Sequence, residues 1–233
     1  MAKSQIKASK PAARVLIIDD HPAVREALAI RIASQPDLEV CGEAADVVEA
    51  CRLAESTAPH VAIIDIALKT GNGIDLIKRL KARSEELRAI VWSMYSEDLY
   101  AERALRAGAM GYVNKEQATV QILDAIRQVL AGKVYLSVPM TEKLLKRAVG
   151  PAGAEPGRRP IDSLSDRELD VFRLIGEGQK TQEIATQLHL SVKTVETYRD
   201  RIRDKLDLAS GAELARCAMQ WSLESTAEGK QGR

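Results

Sequence analysis

Cysteine is scarce in this chain: Cys41, Cys51 and Cys217 are the only three in 233 residues. They are odd in number and lack the spacing of a metal-ligand set, which argues against a disulfide framework and a zinc site. Neither sign of charge is in excess, with 34 Lys and Arg against 33 Asp and Glu, so the net charge says nothing about nucleic acid. No apolar run approaches the roughly 18 residues of a membrane-spanning helix. Residues 1–14 carry Lys3, Lys7, Lys10 and Arg14 but no apolar core of a secretory signal. The expectation is reduced thiols, a cytoplasmic location and no membrane partner. What is present is a 45% hydrophobic content, enough to build cores, in a length suited to one large domain or two ordinary ones.

The first half alternates strand and helix patterns. Short apolar runs at Val15–Ile18, Leu38–Gly42, Val61–Ile64, Ala89–Trp92 and Gly111–Asn114 each precede a segment with helical spacing. Those segments are Ala23–Ser34, Val47–Ser56, Gly73–Ala82, Asp98–Arg106 and Thr119–Ala131. Five such repeats predict an α/β fold, a doubly wound, flavodoxin-like parallel sheet with helices on both faces. Right-handed crossovers leave few other topologies. Pro139–Ala148 reads as a short amphipathic helix. Residues 150–160 hold three prolines and three glycines, the composition of a linker. Beyond it the pattern is all helical. Ser165 to Glu168 is a capping box, and helices are expected at Thr181–Leu188, Val192–Leu206 and Gly211–Trp221. The expected division is a disordered tail over 1–13, an α/β domain over 14–132, a linker with a short helix over 133–160, a helical domain over 161–224 and a disordered tail over 225–233.

Five pieces of the first domain fall at or beside the carboxyl ends of strands, where open parallel sheets bind ligands: Asp19-Asp20, Asp65, Ser93, Tyr112 and Lys115. Three clustered carboxylates repel one another unless a hard cation relieves them. Mg2+ or Mn2+ suits such a site, taking carboxylates, waters and a phosphate oxygen. In this chemistry Asp65 is a nucleophile that forms an aspartyl-phosphate. Lys115 is the fixed cation for the phosphoryl oxygens, and Ser93 donates a hydrogen bond to one of them.

In the helical unit Val195, Tyr198, Ile202 and Leu206 share one face and are expected to pack inward. Lys193, Glu196, Thr197 and Asp200 lie opposite, free to enter a major groove. Arg199, Arg201, Arg203 and Lys205 flank them at phosphate height, and Lys180 and Thr194 complete the expected DNA-contacting set. From Arg158 to Arg233 there are thirteen bases and thirteen acids, so one unit alone is expected to bind weakly. Leu214, Cys217, Ala218 and Trp221 recur at helical spacing on the last helix and are the candidate dimer contacts.

These motifs carry a resemblance. Ile17-Ile-Asp-Asp-His-Pro22, the loop Asp65 to Gly73, Ser93-Met-Tyr and Gly108 to Lys115 resemble the receiver domain of two-component response regulators over residues 14–132. Leu164 to Gly178 and Glu183 to Glu196 resemble the LuxR-type DNA-binding domain over 161–221. Together they place the chain beside the NarL/FixJ class. The resemblance implies phosphorylation of Asp65 by a sensor histidine kinase. It implies metal binding by Asp19, Asp20, Asp65 and the Ala67 carbonyl, and a switch pair of Ser93 and Tyr112. It also makes Gly211–Trp221 a dimerisation helix. The implied partners are a double-stranded DNA operator, RNA polymerase and a second copy of the chain. Glu116 and Lys69 stand where many receivers have proline. One alternative is an aspartyl-phosphate phosphatase or phosphotransferase. Such enzymes resembling the haloacid dehalogenases need a second acid two residues after the nucleophile, where this chain has Ala67. A constitutive DNA-binding protein is the other alternative.

Overall fold

The computed structural model describes residues 11–69, 71–116, 120–149 and 160–231. Most of the expected N-terminal tail, the linker over 150–159 and the expected helix start at Thr119 lie outside those residues. Five strands, β1 (Ala13–Ile18), β2 (Leu38–Ala44), β3 (Val61–Ile64), β4 (Arg88–Ser93) and β5 (Ala109–Asn114), form one parallel sheet in the order β2-β1-β3-β4-β5. Helices α1 (Pro22–Ala33), α2 (Val47–Thr57), α3 (Gly73–Arg83), α4 (Glu97–Arg106) and α5 (Val120–Leu130) cover it. Leu16, Ile18, Ala62, Ile64 and Val91 point into one core, with Ile74, Leu80 and Tyr100. Val15, Ile17, Ile63, Ile90 and Trp92 point into the other, with Leu28, Ile32 and Ile126. Burial on both faces is why these strands read as continuous apolar runs. The strand order reverses between β1 and β3, which opens a crevice at their carboxyl ends.

Next comes α6 (Val138–Val149), one residue longer at each end than the amphipathic pattern indicates. After a 3-10 turn at Pro160–Ser163 follow α7 (Asp166–Gly176), α8 (Thr181–Gln187), α9 (Val192–Leu206) and α10 (Gly211–Gln231). The Ser165–Glu168 capping box starts α7, and Ser191 accepts the Thr194 N–H to start α9. Leu169, Phe172, Ile184, Val195, Ile202, Leu214 and Ala218 form the core of this unit. A Cβ on Gly176 would lie 2.5 Å from the Ala218 carbonyl oxygen, so α7 and α10 approach backbone to backbone there. The last helix runs on to Gln231, through the segment expected to be a disordered tail. No proline interrupts it, and Ala227, Glu228, Lys230 and Gln231 are good helix formers. Among the described residues no helix is long and apolar enough to cross a membrane.

Candidate functional site

The acidic cluster forms where β1 and β3 end side by side. The Asp65 N–H donates to the Ile18 carbonyl at 2.9 Å, which sets Asp65 beside Asp19. Lys115 is placed by β5, and its N–H donates to the Ser93 carbonyl at 2.9 Å. Its ammonium then donates to Asp19 Oδ2 and to Asp65 Oδ2, both at 2.7 Å. Asp19 and Asp65 are almost wholly buried. Burial pushes the Asp65 carboxyl above the usual aspartate range, and Asp19 adds to this, while Lys115 pulls the other way. Burial alone would lower the Lys115 ammonium, but Asp65 and Asp19 outweigh it and hold it above its ordinary value. The amine is therefore charged and the carboxylate pair leans on it.

The fourth member of the cluster is a residue that the sequence reading did not single out as a ligand. Oxygen or nitrogen atoms of Asp19, Asp20, His21 and Asp65 lie within 4.8 Å of one another. The His21 N–H donates to Asp19 Oδ1 at 2.9 Å. Asp20 Oδ1 is buried and accepts no hydrogen bond, although His21 Nδ1 approaches to 2.7 Å. A buried, unsatisfied carboxylate oxygen beside two others is a donor set that fits a hard divalent cation. The position of His21 directly after the acidic pair was the available signal. Ala67 is exposed in the following loop, and its N–H donates to Asp65 Oδ1 at 3.4 Å. Gly73 is required beneath this loop, because a Cβ there would lie 2.1 Å from the Asp65 carbonyl oxygen.

Ser93 and Tyr112 are both buried and meet at one residue, Tyr95. The Tyr95 N–H donates to Ser93 Oγ at 3.3 Å. The Tyr112 hydroxyl donates to the Tyr95 carbonyl at 2.8 Å, and the Asn114 amide donates to the same oxygen at 3.3 Å. Tyr112 lies inward, 2% exposed, where the Tyr95 carbonyl gives its hydroxyl a buried acceptor. Burial pushes the Tyr112 phenol well above its usual value, so it stays a donor. Glu116, in place of proline, donates its N–H to Asn114 Oδ1 at 2.8 Å, a bond that proline lacks the hydrogen to make. The described residues contain no cis peptide bond.

On α9, Lys193, Glu196, Thr197, Asp200 and Arg201 are exposed, opposite buried Val195 and Ile202. Lys180 is exposed at the start of α8. Thr194 Oγ1 pairs with the cap Ser191 Oγ at 2.7 Å, and Arg203 pairs with Asp200 at 2.7 Å. Arg199 is half-buried, with its guanidinium close to Gly211. Two groups of residues need correction. Lys205 does not stand free for phosphate: its ammonium donates to buried Glu168 at 2.6 Å and to the Ser163 carbonyl at 3.4 Å. The stripe proposed for dimer contacts faces inward. Leu214 and Ala218 are wholly buried against α7, Cys217 is half-buried, and Trp221 packs on Phe172 with ring centroids 5.5 Å apart. Helical spacing marks an apolar face but not what covers it, and here α7 does.

Comparison with known proteins agrees with both halves. Residues 15–127 match the family described as response regulator receiver domain, and residues 162–218 match bacterial regulatory proteins, luxR family. The response regulator GacA of Pseudomonas aeruginosa is 34% identical over 215 residues, covering 92% of this chain and 99% of its own. The transcriptional regulatory protein LiaR of Bacillus subtilis is 35% identical over 202 residues, covering 87% and 94%. The chain belongs to the NarL/FixJ class of response regulators. A solved structure of RcsB from Salmonella enterica serovar Typhimurium, bound to promoter rprA with phosphomimetic BeF3-, is 27% identical. It has a TM-score of 0.60, with 88% of this chain and 97% of that chain covered. The response regulator is a two-component transcription regulator and not a metabolic enzyme, which removes the phosphatase alternative.

In this response regulator the DNA-binding domain is docked on the receiver. Arg103 of α4 donates to the carbonyls of Leu164 at 2.6 Å and Ile161 at 3.3 Å, and pairs with Asp166 at 3.2 Å. Lys78 of α3 also pairs with Asp166, at 3.2 Å. Buried Asp170 accepts from the Asn72 amide at 2.9 Å and from the Tyr100 hydroxyl at 3.2 Å. The Arg173 guanidinium lies 4.4 Å from the Tyr95 ring centroid and donates to its hydroxyl at 2.9 Å. Contact runs through α7 and the turn that precedes it, and Lys193, Glu196, Thr197 and Asp200 on α9 stay exposed. None of these pairs was legible beforehand, since each joins residues 58 to 98 positions apart.

Proposed function

We propose that this protein takes a phosphoryl group from a sensor histidine kinase onto Asp65, and that this controls dimerisation and binding to a DNA operator. The observation that carries the reading is Lys115, whose ammonium lies 2.7 Å from both Asp19 and Asp65 beside the unsatisfied Asp20 oxygen. Asp65 Oδ2 is held by Lys115, so Oδ1, with one long contact from Ala67, is the attacking atom. It attacks the phosphorus of the phosphohistidine: the P–O bond forms, the P–N bond breaks, and the imidazole nitrogen leaves with the electron pair and takes a proton. Lys115 and the Ser93 hydroxyl hold the phosphoryl oxygens. Asp19, Asp20, Asp65 and the Ala67 carbonyl would hold Mg2+ or Mn2+. When bound, that ion neutralises the carboxylates and the phosphoryl charge.

Lys193, Glu196, Thr197 and Asp200 present the base-reading face, with Arg199, Arg201 and Arg203 beside the phosphates. Residues 161–224 carry nine bases against twelve acids, so two copies on one DNA are needed for useful affinity. With Leu214 and Ala218 in the core, Met219 and Leu223 are, among the described residues, the large apolar side chains of α10 exposed for the second copy. The reading places the protein in the cytoplasm with RNA polymerase as downstream partner.

Intact-mass measurement with acetyl phosphate tests the site. One phosphoryl adduct is expected, only with Mg2+ or Mn2+, and none in Asp65→Asn. An undiminished adduct in that variant moves the nucleophile elsewhere. For the DNA face, Lys193→Ala or Thr197→Ala on a selected operator should each cost about 1–3 kcal/mol. Wild-type affinity in both removes the assignment.

A further inference from the structure

Arg25 lies in the first turn of α1, and its side chain folds back onto the loop that carries the acidic pair. Its guanidinium donates to the Asp19 main-chain carbonyl at 2.6 Å. The side chain is only 17% exposed, so water competes little for that bond, and it lies 3.7 Å from Glu43 of β2. The next residue of β2, Ala44, accepts the Asp19 N–H at 3.1 Å. The β2 strand thus holds Asp19 directly at its N–H and, through Arg25, at its carbonyl. These bonds matter more for Asp20 than for Asp19. The Asp19 carboxylate has its own anchors, the His21 N–H on Oδ1 and Lys115 on Oδ2. Asp20 Oδ1 is buried and accepts no hydrogen bond. The Asp19 carbonyl belongs to the peptide plane that leads into Asp20, and that plane turns as one rigid body. A donor fixed on its oxygen therefore fixes the direction in which Asp20 leaves the strand.

We propose that Arg25 is a positioning residue for the divalent cation held by Asp19, Asp20 and Asp65. It acts through the Asp19–Asp20 peptide plane and keeps the Asp20 carboxylate aimed at the ion. The inference rests on the reading of this cluster as the cation site of the phosphoryl chemistry. Without the guanidinium the peptide plane can rotate, and the Asp20 carboxylate must be ordered each time an ion binds. Arg25 has two opposed effects on a cation: its charge repels it, and its hydrogen bond orders a ligand for it. Glu43 lies against the guanidinium and balances the charge, so ordering prevails. Groups that orient a metal ligand without touching the metal are worth roughly 10–100-fold in metal affinity.

The test titrates the full chain with Mn2+ and reads the free ion by electron paramagnetic resonance, with no phosphodonor present. Arg25→Ala is expected to raise the Mn2+ dissociation constant roughly tenfold or more. Arg25→Met keeps most of the apolar stem but has no donor, and it should lose as much, which carries the test if Arg25→Ala does not fold. Arg25→Lys keeps one donor and should recover part of the loss. A second readout separates positioning from general damage to the fold. With acetyl phosphate, the Mg2+ concentration for half-maximal adduct formation on Asp65 should rise in Arg25→Met, while the rate at saturating Mg2+ stays near wild type. Mn2+ affinity in Arg25→Met equal to or tighter than wild type overturns the proposal. So does a slow rate that no Mg2+ concentration restores. Failure of the wild type to bind Mn2+ would instead overturn the cation-site reading on which the inference stands.

Discussion

The side-chain amide of Asn72 in the receiver donates a hydrogen bond at 2.9 Å to the carboxylate of Asp170 in the DNA-binding domain. Both residues are buried. The other end of the same amide, Oδ1, accepts the Ile74 N–H at 2.8 Å and caps α3. One residue thus starts the helix after the Asp65 loop and satisfies a carboxylate of the other domain. Burial pushes the Asp170 carboxyl up, against the pull of Asn72, Arg173, Arg167 and Tyr100.

Asn72→Ala should therefore do two kinds of damage. It removes the cap of α3, which costs about 1 kcal/mol. It also leaves a buried carboxylate short of a donor, which costs about 1–3 kcal/mol more. Urea denaturation of the full chain should show the sum, and Asp170→Asn in the same background should recover part of it. No recovery would separate Asn72 from Asp170.

The Glu168–Lys205 pair makes the DNA-binding domain sensitive to acid. Burial pushes the Glu168 carboxyl up, but hydrogen bonds from Lys205 and Ser165 outweigh it and hold the group below its ordinary value of 4.5. Between the lowered value and the ordinary one, the unfolded chain binds more protons than the folded one. The pair's stabilisation is complete above the ordinary glutamate range and is lost as pH falls through the folded value. Denaturation of wild type and Glu168→Gln checks this. Their difference should be largest near neutral pH and shrink well below the glutamate range; a constant difference would rule the ion pair out as its source.

Gly73→Ala should cost much more than helix propensity suggests. The added Cβ would sit 2.1 Å from the Asp65 carbonyl oxygen and 2.9 Å from Ile66 Cα, both backbone atoms. The loop carrying Asp65 must shift to admit it. A fall in melting temperature together with slower phosphorylation by acetyl phosphate is expected. A variant stable and phosphorylated as wild type would show that the loop has slack.

Leu214→Ala tests the inward placement of the α10 stripe. Leu214 is wholly buried within one chain, so the substitution should destabilise the unphosphorylated monomer by about 2–5 kcal/mol. If the residue served only a contact between copies, dilute unphosphorylated protein would unfold as wild type does.

Much of this molecule is determined by sequence alone. Two-sided burial writes each parallel strand as an apolar run, so the five strands and the residues at their carboxyl ends stand out locally. That local pattern is enough to bring Asp19, Asp65 and Lys115 together. Ser165 and Ser191 signal their helix starts in the same way, because a cap acts within one turn. The groove face of α9 follows from a single periodicity, with Val195 and Ile202 buried opposite Lys193 and Thr197.

Only the tertiary structure decided what each apolar or charged face meets. Leu214 and Ala218 show the same spacing whether α7 or a second copy covers them. Lys205 looks like a phosphate contact until Glu168, 37 residues earlier, claims its charge. Asp170 and Arg173 read as the polar side of an amphipathic helix, and a linker rich in glycine and proline leaves their partners open. Contacts such as Asn72–Asp170, between residues 98 apart, depend on how two complete surfaces fit once both domains have folded. Periodicity reports which face of an element is buried, whereas the identity of its partner is set by long-range packing that no local pattern encodes.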